Sequence, residues 1–192
     1  MIPLDPHNLV EAPDMLETER LILRQFLETD LDLCARIYAD PEVMRYIGDG
    51  RTMTREETWR WVAAALGHWV LRGYGLYAVE EKYTGTFIGR IGLYNPEGWP
   101  GLEAGWLLGR QHWGLGYATE GAKAVVRMAY EQVGATHLIS LIQPENLASI
   151  RVAEKLGAIR ESTIDINGRD AHIYAYGGPP VDPTLLLAPH RT

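Results

Sequence analysis

A chain of 192 residues, 46% hydrophobic and 22% charged, has the size of one ordinary domain and enough apolar material for a core, which argues against a disordered or fibrous chain. The formal net charge of −7 disfavours general nucleic-acid binding and slightly favours cationic substrates. A single cysteine, Cys34, excludes an internal disulfide and a cysteine-rich metal site and fits a reducing compartment. The opening MIPLDPHN has no signal-peptide pattern. The most apolar stretch, Trp61 to Leu71, falls well short of the roughly 20 residues of a membrane span. The expectation is a cytoplasmic protein with no membrane or nucleic-acid partner.

In chain order, residues 1–15 read as an irregular arm rich in Pro and Asp. RLILRQF (20–26) alternates as a strand does. Thr29 or Asp30 can cap a helix that ends at Asp40-Pro41, and Pro41 can start a short turn through Ile47. Thr54 and Glu57 form a capping box ahead of a helix whose stripe is Trp61, Val62, Ala65, Leu66, Trp69 and Val70. GLYAVEEK, TFIGRIGLY and LEAGWLLG read as three strands of a meander. The turn WGLGYATEG opens a helix with Ala118, Ala122, Val125, Val126, Ala129, Tyr130 and Val133 on its buried face, stopped by Gly134. HLISLIQ suits a central strand, and a further helix opens at Ser149 or a neighbour. Two last strands flank Asn167-Gly168, and residues 177–192 trail as a Pro/Gly-rich tail. The order β-α-α-β-β-β-α-β-α-β-β gives an α+β class with a mixed central sheet flanked by helices.

The segment Gln111-His112-Trp113-Gly114-Leu115-Gly116-Tyr117-Ala118-Thr119 joins a strand to a helix. Glycines let backbone amides approach an anion, and the helix start adds favourable partial charge, so a pyrophosphate is the natural occupant. It lacks the Gly-Lys-Ser/Thr ending of a Walker A loop and the third glycine of a dinucleotide fingerprint. Two glycines alone also fit a purely structural tight turn.

Four segments in order nevertheless resemble one family. Gln111-His112-Trp113-Gly114-Leu115-Gly116 matches the Arg/Gln-x-x-Gly-x-Gly/Ala acetyl-CoA motif of the GNAT (GCN5-related N-acetyltransferase) superfamily. HWGLGYATEGAKAVVRMAYE, PENLASIRVAEKLGAIRE and the upstream ETERLILRQFLETD with YADPEVMRYIGDG are similar to the RimJ/RimL-like ribosomal-protein N-terminal acetyltransferase group. The resemblance covers residues 16–176 and implies a GNAT fold, acetyl-CoA as co-substrate and an amine acceptor. It also implies that the pantetheine arm pairs as an extra strand beside Trp106, Leu107 and Leu108, and that Asn146 bonds its amides. Ser149 of the Asn-x-x-Ser segment would protonate the leaving thiolate, and Arg151 or Lys155 would meet the adenosine phosphates. Serine and asparagine are also ordinary capping and loop residues.

Glu103 is the candidate base. An amine with a pKa near ~10 arrives protonated, and a carboxylate can take the proton. The pleat puts Glu103, Gly105 and Leu107 on one face of the strand and Leu102, Ala104, Trp106 and Leu108 on the other. A mid-strand carboxylate is costly to bury without use, unless it is solvated or paired with Arg90. Trp59 lies off the helix stripe and is a candidate pocket wall, whereas Trp61 and Trp69 read as core. His112 reads as a turn residue, and no H-x-x-x-H pair suggests a metal. The expected function is N-acetylation of a small amine or protein N-terminus by direct attack in a ternary complex, by a monomer or homodimer. The alternative is a CoA-binding sensor or scaffold without turnover.

Overall fold

The structure, a computed structural model, describes residues 12–178 except 167. Most of the expected N-terminal arm, the tail beyond Gly178 and Asn167 of the last hairpin lie outside the described residues. The chain enters through β1 (Met15–Glu17) and β2 (Leu21–Arg24), then α1 (Leu31–Tyr38), the single-turn α2 (Pro41–Met44) and the long α3 (Arg55–Arg72). β3 (Leu76–Glu81), β4 (Thr86–Tyr94) and β5 (Glu103–Leu108) form the meander. A 3-10 turn (Arg110–His112) leads into α4 (Tyr117–Glu131), β6 (Leu138–Ile142), α5 (Leu147–Lys155), β7 (Ala158–Ile166) and β8 (Arg169–Tyr176).

The eight strands make one sheet in the order β1-β2-β3-β4-β5-β6-β8-β7. Every neighbour pair is antiparallel except β5 and β6, which are parallel, so the sheet is mixed and the class α+β as the element order predicts. One strand escapes the sequence reading. β1, with Met15 inside the segment expected to be irregular, pairs with β2 at the sheet edge, and three residues are too few to show an alternation.

Strand alternation feeds two cores. Leu21, Leu23, Tyr77, Val79, Ile91, Leu93, Ala104 and Leu108 pack with Ala122, Val125, Val126 and Ala129 of α4. On the other face Ala78, Phe87 and Leu107 pack with Cys34, Ile37, Tyr38, Val62 and Ala65 of α1 and α3. Glu103 shares the parity of Leu107 and therefore stands on the α1/α3 side of the sheet.

Helix α3 begins at the expected capping box: Glu57 N–H donates to Thr54 Oγ1 at 3.2 Å and Thr54 N–H to Glu57 Oε2 at 2.8 Å. Its buried stripe is Thr58, Val62, Ala65, His68 and Trp69. Val70, expected on that stripe, is 81% exposed, because one residue past Trp69 turns the side chain roughly 100° away from the core. Strands β3 and β4 approach closely at Gly92, where an added Cβ would lie 2.4 Å from Gly75 O and 2.6 Å from Leu76 Cα. Gly92→Ala should therefore force these backbones apart and destabilise the fold by about 1–3 kcal/mol, read as a lower urea midpoint at unchanged slope; an unchanged midpoint would show that the strands yield freely.

Candidate active site

β5 and β6 share one register pair, Glu103↔Ile139, and then part. Ile139 N–H still reaches Leu102 O at 2.9 Å, but beyond that the strands diverge. Gly109 N–H bonds Ile88 O on β4, so the odd residues of β5 direct their backbone groups at β4 and the even ones at the gap. Ser140 Oγ occupies Ala104 O at 2.5 Å, and Trp113 Nε1 occupies Leu108 O at 2.8 Å. The backbone of Trp106 and the amide of Leu108 face the gap. Leu107 corrects the sequence reading: its backbone pairs with Arg90 of β4 and its side chain is buried, so it offers the gap nothing.

The gap opens into a cavity of about 270 Å³ lined by Trp61, Arg90, Tyr94, Trp99, Glu103, Trp106, Asn146 and Ser149, with Arg169 and Asp170 at its rim. Glu103 is half-buried, and Trp99 Nε1 donates to its Oε2 at 2.8 Å. Burial raises the pKa of Glu103, against the opposing pull of the Trp99 bond, the Arg90 charge and the Leu141 amide. Arg90 stands on the same face four residues along the neighbouring strand's register and forms no salt bridge with Glu103. Its Nε donates to Tyr38 Oη at 2.9 Å and its guanidinium lies 5.0 Å from the Trp61 ring centroid.

The glycine turn lies at the other end of β5. Gly114 and Gly116 adopt φ of +75° and +84°, which a side chain would strain. Glu120 N–H makes the first helical bond of α4, to Gly116 O, so the amides of Tyr117, Ala118 and Thr119 are left over at the helix start. A Cβ on Gly114 would meet nothing within 4 Å, and His112 Nε2 is buried without a partner among the described residues. Burial also lowers the His112 pKa. Gln111 and His112 lie in the 3-10 turn, and Trp113 and Leu115 are exposed.

A latch that the sequence reading missed holds this turn. Arg20 donates from Nε to Glu120 at 2.7 Å and from Nη1 to Leu115 O at 3.0 Å, and its guanidinium stacks on Tyr117 at 4.5 Å. Glu120 also accepts from Thr18 and from the Arg20 amide. Burial works against ionisation of Glu120, yet these bonds hold its pKa below the usual value. The partners lie about a hundred residues apart in the chain, so no local pattern announces them.

Asn146, not Ser149, is the N-cap of α5: its side chain accepts from Ser149 N–H at 3.2 Å. Asparagine at the preceding loop end satisfies that amide, which leaves the Ser149 hydroxyl free of capping, and Trp106 Nε1 donates to it at 3.3 Å. Arg151 and Lys155 are exposed on α5 outside the cavity lining. Trp59 is 53% exposed and outside the lining as well. Of the two tryptophans at the start of α3 it is Trp61 that lines the cavity, braced edge-on by Phe26 and Tyr38 at 5.7 and 5.1 Å. The acidic composition does not carry into the cavity either, where each carboxylate is matched by an arginine.

Residues 20–159 match the family model described as acetyltransferase (GNAT) domain. The chain is similar to two Bacillus subtilis (strain 168) proteins: YkkB, at 35% identity over 81% of this chain and 91% of the relative, and the N-acetyltransferase YnaD, at 30% over 76% and 83%. An acetyltransferase structure from Agrobacterium tumefaciens str. C58 superposes with a TM-score of 0.76 at 32% identity, covering 88% of this chain and 97% of the other. Mycobacterium smegmatis RimJ, solved with CoA-disulfide, shares the fold at a TM-score of 0.71 and 17% identity, covering 85% of this chain and 87% of its own. The chain belongs to the GNAT family of N-acetyltransferases, whose acetyl donor is acetyl-CoA. Among the described residues no helix is long and apolar enough to cross a membrane.

Behind the cavity, His68 ties α3 to the loop between β4 and β5. Asn95 N–H donates to its Nε2 at 3.0 Å, so the ring is neutral and Nδ1–H donates to Tyr74 O at 2.9 Å. The ring also stacks on Tyr94 at 5.4 Å. Burial lowers the His68 pKa below 6.5. The stability contributed by the neutral ring is therefore present above the unfolded value of about 6.5 and lost as pH falls through it toward the folded value. Urea midpoints measured from pH 7.5 down to 5 should fall more steeply for the wild type than for His68→Gln; parallel curves would contradict this.

Proposed function

We propose that this protein acetylates a primary amine, on a small molecule or a protein N-terminus, by direct attack within a ternary complex. The observation that carries this reading is the open even-numbered edge of β5, running from Glu103 at one end to the glycine turn at the other. The leftover amides of Tyr117, Ala118 and Thr119 and the open space before Gly114 suit the pyrophosphate of CoA. The Trp106 backbone and the Leu108 amide suit an extended pantetheine, with Asn146 beside them. When bound, acetyl-CoA supplies the thioester carbonyl that an amine attacks and the thiolate that departs.

The chain's residues then have separable tasks. Glu103, with its raised pKa, accepts the proton that the amine must lose. Ser149 presents a hydroxyl free of capping as the donor to the leaving sulfur. The Trp106 or Leu108 amide polarises the carbonyl as an oxyanion site does. A covalent route through cysteine has no candidate: Cys34 is buried in the α1/α3 core, where desolvation pushes its thiol up to about 12.

Two measurements test the reading. CoA or acetyl-CoA should raise the melting temperature, by the equivalent of roughly 2.7 kcal/mol at a hundredfold excess over Kd; no shift at millimolar CoA would remove the donor site. Glu103→Gln should lower kcat by about 10²–10⁴ while leaving that thermal shift in place. The loss should shrink as pH rises toward the amine's own pKa, and the wild type should lose activity on an acidic limb displaced upward from the usual carboxylate value of 4.5. A wild-type rate for the glutamine variant across pH would take Glu103 out of the mechanism.

A further inference from the structure

Arg90 has no task in the chemistry just described. Its surroundings nonetheless hold it: Tyr38 Oη accepts from its Nε, its guanidinium lies over the Trp61 ring, and Tyr38 itself, the last residue of α1, is buried. Among the described residues no carboxylate oxygen lies within salt-bridge distance of its guanidinium, although nine arginine–carboxylate pairs occur elsewhere among them. With Nε–H spent on Tyr38, the four donor hydrogens of its two terminal nitrogens remain, and Arg90 lines the cavity.

Glu103 is the opposite charge on the same face of the next strand. The β4–β5 register pairs Arg90 with Leu107 and Tyr94 with Glu103, so the two Cα positions are offset by about 13 Å along the strands. Two opposite charges in a partly dry cavity attract strongly, yet each is held back by its own partners, Tyr38 and Trp61 for one and Trp99 for the other. A cavity that keeps a cation and an anion apart between aromatic walls is complementary to a zwitterion. Arg169 and Asp170 also line the cavity, but both are exposed to solvent, which weakens their pull on a ligand relative to the half-buried Glu103 and Arg90.

We infer that the acceptor is a small amine bearing its own carboxylate, an amino-acid-like zwitterion with an apolar body, whose carboxylate is bound by Arg90 while its ammonium faces Glu103. The inference rests on the acetyltransferase reading above. Arginine suits the task because its fork takes a carboxylate through two parallel hydrogen bonds. A polyamine or a peptide N-terminus brings no such anion next to its amine.

The test uses the full chain with acetyl-CoA and a matched series: L-phenylalanine, L-phenylalaninamide and phenethylamine, with the L-leucine acid and amide as a second pair. Thiol release is followed, and binding of each N-acetyl acid and N-acetyl amide in the presence of CoA is followed by tryptophan fluorescence. The acids should exceed their amides at least about tenfold in kcat/KM and in product affinity. That order runs against intrinsic reactivity, since the amide is the weaker base and offers more free amine at neutral pH. Arg90→Gln should bring the acid-to-amide ratio close to one through a raised KM for the acid, and Arg90→Lys should leave an intermediate ratio, both variants keeping the CoA thermal shift as proof of folding. Acids and amides treated alike, in turnover or, where no acceptor turns over, in product binding, would overturn the inference, as would a preference that survives Arg90→Gln. If CoA neither shifts the melting temperature nor releases thiol with any amine, it is the acetyltransferase reading that fails.

Discussion

Between β5 and β6 the hydrogen-bonded ladder stops after one register pair, and the site is arranged around the place where the two strands part. Parallel strands joined by a helical crossover have no turn to hold their register, so local side chains decide how far they stay together. Ser140 spends its hydroxyl on Ala104 O and on Tyr176 Oη, closing the narrow end of the gap. Trp106 reaches across to Ser149 at the wide end. An unpaired backbone group sealed in a protein interior costs about 1–3 kcal/mol, so these groups are tolerated where they are because they look into a cavity rather than a core.

The two ends of β5 are stiffened in different ways. At the C-terminal end the Trp113 indole closes back on Leu108 O, and Arg20 ties the glycine turn and the first turn of α4 to the start of β2. The turn needs such ties, since positive-φ glycines cost more backbone entropy to order than other residues. At the N-terminal end the loop from β4 folds back so that Trp99 meets Glu103, and His68 holds the start of that loop against α3. The carboxylate thereby sits in a partly dry place with an upward-shifted pKa, without being paired off by the arginine on the next strand.

Net charge proved a poor guide to the cavity. A surplus of seven negative charges over the whole chain describes its long-range field, whereas the wall facing a ligand is set by a few side chains whose parity on two strands is the same. Arg90 and Glu103 share that parity because the β4–β5 register is regular along its length.

Much of the architecture was legible in the sequence because it is local. Alternation in TFIGRIGLY and LEAGWLLG placed β4 and β5 and put Glu103 opposite in face to Trp106; the Thr54 box and the paired glycines placed the starts of α3 and α4. What tertiary structure decided is whatever depends on residues far apart in the chain meeting across the sheet. Register along β5 turned the Leu107 backbone to β4 and left Trp106 facing the gap. The choice between Asn146 and Ser149 as cap turned on the backbone path into α5, and the choice between Trp59 and Trp61 on how α3 is rotated over Phe26 and Tyr38. The Arg20–Glu120 latch and the Tyr38–Arg90–Trp61 brace join segments between about thirty and a hundred residues apart. Propensity and periodicity report each segment's own energetics, and a contact between two such segments exists only once the sheet has brought them together.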